Sequence, residues 1–224
     1  MTDGRATGAH RAGGTRLPCA AVLFDVDGTL IDSTPLVEHA ARLWAPGYGI
    51  DADEFLAGAH GRRTSDRIAD FLPPDRVAEA TARLDALEAA GTDGITALPG
   101  ALDLLAGMNG LPWGLVTSMD RGQLAARAAA ARIPLPDVVV TAEDVRHGKP
   151  DPSGYLRAAG LLGAAPSACV VVEDAPAGVA AGRAAGATVL AVTTSHPPEA
   201  LGEAHHVIED LTAVAPGPDG LTLA

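Results

Sequence analysis

Val22-Leu23-Phe24-Asp25-Val26-Asp27-Gly28-Thr29-Leu30 is the stretch from which the chain is read. An apolar run from Ala20 to Phe24 stops at one carboxylate, and a second follows two positions on. The run is continuous rather than alternating, which suits a strand buried on both faces of a parallel sheet. Carboxylates at the carboxyl end of such a strand sit where open α/β sheets bind their ligands. Gly28 then lets the backbone leave the strand through a turn that a bulkier residue would obstruct. Taken alone, the stretch reads equally well as a strand followed by a common Asp-Gly turn.

Further along, Asp32-Ser33-Thr34-Pro35 offers a helix start with Pro in the first turn. From there to about Leu98 the period becomes helical: Leu36, Val37, Ala40, Ala41 and Leu43-Trp44, then Ile68, Phe71 and Leu72, then Ala80, Leu84, Leu87 and Glu88. No strand-like run interrupts this region, which predicts an all-helical insertion of three or four helices over 34–97. After Leu98-Pro99-Gly100, strand-like runs alternate with helical ones. The strands are Trp113 to Val116, Val138 to Val140, Cys169 to Val172, Val189 to Val192 and a short one at Val207-Ile208. This alternation predicts an α/β fold, a Rossmann-like parallel-sheet core formed by 18–33 and 98–224. Residues 1–17, rich in Gly, Thr and Arg, are expected to be a disordered leader, and residues 213–224 a loose tail.

Composition narrows the function classes. The chain has 224 residues, 47% of them apolar, enough for one large domain or one domain with a smaller insertion. A net charge of −12 argues against attraction to nucleic acid or anionic membrane. An aromatic content of 3% leaves little for stacking single-stranded bases. No apolar run approaches the ~20 residues of a spanning helix, and residues 1–16 contain no signal-peptide h-region. A cytoplasmic monomer or homodimer is the expectation. Cys19 and Cys169 lie beside apolar runs and read as small core residues.

Several predicted strands end in chemistry. Asp25 and Asp27 follow the first, Thr117 and Ser118 the second, and Glu173 and Asp174 the fourth, while Lys149 lies in the loop after the third. A parallel sheet points all these ends to one edge, so the groups can converge. Three crowded carboxylates repel unless a divalent cation compensates them, and an all-oxygen set favours Mg²⁺ with substrate phosphate. Lys149 and a hydroxyl suit the remaining phosphate oxygens. One carboxylate can then attack phosphorus, and the other can protonate the leaving alkoxide and later deprotonate water. Singly, the Thr-Ser pair reads as a helix cap, Lys149 as a loop lysine and the acidic pair as helix-start carboxylates. Their joint placement favours a site for a small phosphate monoester.

These residues resemble the haloacid dehalogenase superfamily of phosphotransferases, whose four motifs read here as Asp25-Val26-Asp27-Gly28-Thr29, Thr117, Lys149 and Glu173-Asp174. The resemblance covers about residues 18–212, and the helical insertion is similar to that family's small cap. It implies a nucleophile at Asp25 and an acid/base at Asp27. It also implies metal held by Asp25, the Asp27 carbonyl and Asp174 with Glu173 in support, and phosphate bound by Thr117, Ser118 and Lys149. His60-Gly61-Arg62-Arg63-Thr64-Ser65-Asp66 resembles a cap segment of 2-deoxyglucose-6-phosphate and glycerol-phosphate phosphatases, and the core stretches Thr141 to Pro150 and Glu173 to Gly178 are similar to those enzymes too. That likeness implies cap contacts to substrate from His60, Arg62 and above all Arg63. The segment also reads as a solvated helix start.

Three alternatives are weighed by residue. A dehalogenase requires neither Asp27 nor the acidic pair. A β-phosphoglucomutase carries a His twelve positions beyond the nucleophile, where this chain has Val37, and often replaces the Thr of the first motif, which is retained as Thr29. A non-catalytic relative would have lost one of Asp25, Asp27, Lys149 or Asp174. Hydrolysis of a small sugar or polyol phosphate is therefore the expectation. The connections near Asp32–Pro35 and Ala97–Gly100 would be its hinges.

Overall fold

The computed structural model describes residues 14–58 and 60–224. The first element, β1 (Thr15–Pro18), precedes the decisive strand β2 (Ala21–Phe24), all four residues of which are buried. The chain then turns through Asp27 and Gly28 into the short β3 (Ile31–Asp32) and leaves the core.

The helical excursion comprises α1 (Thr34–Trp44), α2 (Ala52–Ala57), α3 (Thr64–Ile68) and α4 (Pro74–Ala89). Pro35 lies in the first turn of α1 as expected, and the Thr34 N–H is satisfied by the Asp32 carboxylate at 3.0 Å. Trp44, Phe55, Ile68, Ala80 and Leu84 build a separate apolar core for this unit. Trp44 also donates its indole N–H to the Ala80 carbonyl at 2.9 Å, tying α1 to α4. The chain returns along β4 (Thr96–Ala97), which pairs antiparallel with β3, Ile31 opposite Ala97 and Asp32 opposite Thr96. Both connections to the insertion are thus one two-stranded ribbon.

The remaining elements are α5 (Ala101–Ala106), β5 (Trp113–Val116), α6 (Arg121–Ala131), β6 (Val138–Val140), α7 (Ser153–Leu161), β7 (Cys169–Glu173), α8 (Pro176–Ala184), β8 (Thr188–Val192) and β9 (His206–Ile208). Six parallel strands lie in the order β6-β5-β2-β7-β8-β9. The chain starts in the middle at β2, builds outward to β6, then returns to lay β7, β8 and β9 on the other side. This reversal next to β2 makes the crevice in which doubly wound sheets hold ligands. One apolar layer packs Leu104, Leu115, Leu124 and Leu190 on one face of the sheet, and a second packs Tyr155, Ala158, Val179 and Val189 on the other. Cys169 is buried within the second layer and Cys19 packs against the first; both are free thiols. Among the described residues, no helix is long and apolar enough to cross a membrane.

Two expectations need correction. Residues 15–17, expected within a disordered leader, belong to β1, and residues 214–223, expected within a loose tail, form strands; residues 1–13 lie outside the described residues. The chain ends in a hairpin of β10 (Val214–Gly217) and β11 (Gly220–Leu223), and β1 completes a three-stranded sheet against β11. Leu17, Leu221 and Leu223 are buried in the main core. The short period-2 alternation in Leu221-Thr222-Leu223 is the local pattern behind this, and the pairing itself spans the full length of the chain.

Candidate active site

At the carboxyl end of β2 the Asp25 carboxyl is almost fully buried, 3% exposed. Its backbone N–H donates to the Val172 carbonyl at 3.0 Å, which fixes it against β7. From the loop after β6, the buried Lys149 donates its ammonium to Asp25, to the Glu173 carboxylate at 2.7 Å and to the Val116 carbonyl at 3.2 Å. Burial alone would lower the Lys149 pKa, but the Asp25 and Glu173 carboxylates outweigh it and hold the ammonium charged. Burial pushes the Asp25 carboxyl well up; Lys149 opposes that, and Glu173 and Asp174 add to it.

Glu173 and Asp174 divide their work. The Tyr155 hydroxyl donates to Glu173 at 2.6 Å, and the backbone N–H groups of Asp174 and Ala175 donate to it at 3.1 and 3.4 Å. Glu173 therefore spends its oxygens anchoring Lys149 and the turn into α8. Gly178 makes room for it, since a Cβ there would lie 1.8 Å from a Glu173 oxygen. Asp174 receives the Thr29 hydroxyl at 3.2 Å, and burial, then the neighbouring Glu173, raises its pKa to about 7. Gly28, at φ +83°, is required twice: for its left-handed backbone, and because a Cβ would sit 2.2 Å from an Asp174 oxygen.

The donor set fits a hard cation. Asp25, Glu173 and Asp174 offer carboxylate oxygens all within 4.8 Å of one another. Among the described residues, Asp25 Oδ2 and Asp174 Oδ2 are buried without a hydrogen-bond partner, so a carboxylate oxygen is available on each side of the cluster.

Asp27 faces the other way, toward the helical insertion. Arg127 of α6 donates to its Oδ2 at 2.8 Å through Nη1 and to Glu88 of α4 at 2.6 Å through Nη2. Burial would lower the Arg127 pKa, and the two carboxylates more than reverse that. Asp27 Oδ1 has no hydrogen-bond partner among the described residues. It borders a small chamber of about 60 Å³ between the insertion and the sheet, lined also by Asp25, Val37, His60, Arg62, Arg67, Thr117, Gln123 and Arg127.

Thr117 and Ser118 stand at the end of β5, as their spacing predicts. The Thr117 hydroxyl accepts the Met119 N–H at 3.2 Å, and the Ser118 hydroxyl donates to the Gly61 carbonyl of the insertion at 3.0 Å. His60 also borders the core, its ring edge-on to His196 with centroids 5.5 Å apart; His196 Nδ1 lies 3.2 Å from the Asp174 carbonyl. Burial lowers the His60 pKa, as do His196 and Arg67.

Of the two arginines expected to reach the substrate, Arg62 borders the chamber but is paired within the insertion, and Arg63 is engaged away from it. Arg62 donates to Asp70 at 2.6 Å and to the Asp66 carbonyl at 3.0 Å. Arg63 donates to the core carbonyls of Val145 at 2.8 Å and Arg146 at 3.1 Å, fastening the insertion to the loop that carries Lys149. Arg127, Glu88, Arg67, Gln123 and Tyr155 are the chamber and anchor residues that the motifs leave out. A signal existed for Arg127: with Leu124, Ala128 and Ala131 it falls on the buried face of α6, a position where an unpaired charge is costly.

A family model described as haloacid dehalogenase-like hydrolase matches residues 19–186. The chain is 46% identical over 201 residues to hexitol phosphatase A of Escherichia coli, covering 88% of this chain and 93% of that one. It is 37% identical over 192 residues to glycerol-1-phosphate phosphohydrolase 1 of Saccharomyces cerevisiae, covering 78% of this chain and 75% of that one. The solved structure of a hydrolase from Pseudomonas syringae is similar with a TM-score of 0.79 at 25% identity, over 85% of this chain and 94% of that one. Motifs, sheet order and these matches agree: the chain belongs to the haloacid dehalogenase-like hydrolases.

Proposed function

We propose that the chain is a Mg²⁺-dependent cytoplasmic phosphatase that hydrolyses a small sugar or polyol phosphate through a phosphorylated Asp25. The observation that carries this reading is the buried Asp25 carboxylate, held by Lys149 on one oxygen and free on the other, 2 positions from a second carboxylate facing the chamber. The relatives named as hexitol and glycerol phosphate hydrolases support the substrate class. Val37 lines the chamber at the position where mutases of this family carry His, which supports transfer to water over transfer within the sugar.

In this mechanism Asp25 and Asp174 would hold the cation through their unspent oxygens, and the cation, when bound, neutralises charge on the phosphoryl oxygens. Lys149, kept charged by Glu173, orients the phosphoryl group toward Asp25. Thr117 and Ser118 close round its remaining oxygens. Asp25 attacks phosphorus, the P–O bond to the alcohol breaks, and Asp27, which takes up the proton that the phosphate monoanion brings as it enters the chamber, gives that proton to the departing oxygen. Asp27, now ionised, takes a proton from water as that water attacks phosphorus, and Asp25 is released with inorganic phosphate. Arg127 keeps Asp27 pointed at the chamber through both proton transfers.

The test is phosphate release from a panel of sugar and polyol phosphates with and without Mg²⁺, run beside Asp25→Asn. Wild type should turn over only with the cation, and Asp25→Asn should fall below about 10⁻⁴ of it while keeping its circular dichroism spectrum. Activity in Asp25→Asn, with contamination excluded, removes the nucleophile assignment.

A further inference from the structure

The chamber holds polar hydrogens that nothing in the fold uses. Arg67, on α3, is 6% exposed, and its Nε and Nη2 have no hydrogen-bond partner among the described residues. Its guanidinium carbon lies over the Phe55 ring, 4.4 Å from the centroid. Across the chamber, Gln123 spends its side-chain oxygen on the Asp120 N–H at 3.2 Å, leaving Nε2 buried and unpartnered. Buried donors without partners carry a desolvation cost that a fold retains when a ligand meets it. Both side chains line the space beside Asp25 and Asp27, where the leaving group of the phosphate ester would lie.

Charge indicates which chemistry that group has. Arg127 faces two carboxylates, Asp27 and Glu88, and neutralises one of them. Arg67 makes no ion pair among the described residues; burial lowers its pKa to about 10, against the opposing pull of Glu88 and Asp85. Arg62 is matched by Asp70. Among the described residues, the three guanidinium groups of the chamber, Arg62, Arg67 and Arg127, are matched in number by the carboxylates Asp70, Asp27 and Glu88, which leaves no net positive charge there for a second phosphate or a carboxylate. Unpartnered donors on Arg67 and Gln123 opposite the unpartnered acceptor Asp27 Oδ1 suit groups that both accept and donate, namely hydroxyls.

We propose that Arg67 and Gln123 select the leaving group by donating to the hydroxyl oxygens of a neutral polyhydroxy alcohol. This rests on the phosphatase reading above. The measurement is the ratio of kcat/KM for glycerol 1-phosphate to that for propyl phosphate, and for a hexitol 6-phosphate to that for hexyl phosphate, with Mg²⁺ present. Arg67→Met should lower both ratios by about 10- to 100-fold. Gln123→Glu, which keeps the oxygen that receives the Asp120 N–H and so the helix start, should lower them in the same direction and answers the question if Arg67→Met fails to fold. Ratios unchanged in both variants overturn the proposal. So does a wild-type preference for a sugar bisphosphate that Arg67→Met abolishes. A wild-type protein inactive on every monoester overturns the phosphatase reading first; in that case no ratio exists, which separates the two failures.

Discussion

Arg127 and Asp27 are joined at 2.8 Å across the seam between the sheet core and the helical insertion, and the same guanidinium holds Glu88 at 2.6 Å. The side chain of Arg127 is 3% exposed and that of Glu88 6%, so neither charge can fall back on water. Removing one partner of such a pair strands the other. We expect Arg127→Met to destabilise the protein by about 3–5 kcal/mol, and Glu88→Met added to it to restore most of that loss. Stability and activity should then part: the double variant recovers its urea midpoint while kcat stays down by about 10²-fold, because Asp27 has lost the donor that aims it. Equal recovery of both would show that Arg127 acts on the fold alone.

The buried acidic cluster has a pH-dependent consequence. Burial and Glu173 raise the Asp174 pKa to about 7, against an ordinary value of 3.8. In metal-free protein the folded state therefore keeps a proton that the unfolded chain has already released between those values. Stability from this group falls as pH rises from about 4 to 7, since the native state binds more protons there. Cation binding needs the ionised carboxylate, so its affinity should rise with pH up to about 7 and then level. Thermal melts with and without saturating Mg²⁺ at pH 5.5 and pH 8 check both signs: the Mg²⁺-induced rise in Tm should be larger at pH 8. A rise that is larger at pH 5.5 contradicts the assignment of Asp174.

How legible was this site? Asp25, Asp27, Lys149, Glu173 and Asp174 lie at the ends of strands whose continuous apolar runs identify a parallel sheet, so strand order alone brings them to one edge. The insertion was legible for the same reason, because its period is helical between two strand-like runs. The side-chain partners across the seam were not. Whether Arg62, Arg63 or Arg67 points at the chamber depends on how three short helices pack, and the three arginines, all within six positions, find three different environments: Asp70, a core carbonyl pair, and the Phe55 ring. The end hairpin has a local signal in the Pro218-Asp219-Gly220 turn and the alternation of Leu221-Thr222-Leu223, but three residues of alternation are too short to decide a strand, and its pairing with β1 lies about two hundred residues away in sequence.

Arg63 gives a test of closure rather than of specificity. Its two donors fasten the insertion to the carbonyls of Val145 and Arg146, and its stem lies against Gly148, where a Cβ would come within 2.9 Å of it. The fastened loop carries Lys149. Arg63→Ala and Gly148→Ala should therefore lower kcat/KM by similar factors, about 10-fold each, on polyol, sugar and alkyl phosphates alike. Their combination should cost little more than either alone, because both break one contact. A loss confined to polyol phosphates would instead place Arg63 against the substrate.

The hairpin at the chain end sets the last expectation. Leu17 of β1 stands opposite Leu221 of β11, and both are buried beside Leu104, Met108 and Leu111. Side chains at alternate positions of β11 enter the core, while Thr222 between them is only half-buried. Leu221→Ala empties a filled position and should cost about 2–5 kcal/mol, read as a lower urea midpoint with an unchanged slope. Thr222→Ala, on the opposite face, should cost less than about 0.5 kcal/mol. Deleting residues 218–224 removes β11 from between its two neighbours, so β1 and β10 lose their pairing together and the apolar face of α5 is uncovered. That variant should show a lower midpoint than Leu221→Ala and bind a hydrophobic dye. If its melt matches wild type, the three-stranded sheet contributes nothing to the core it covers.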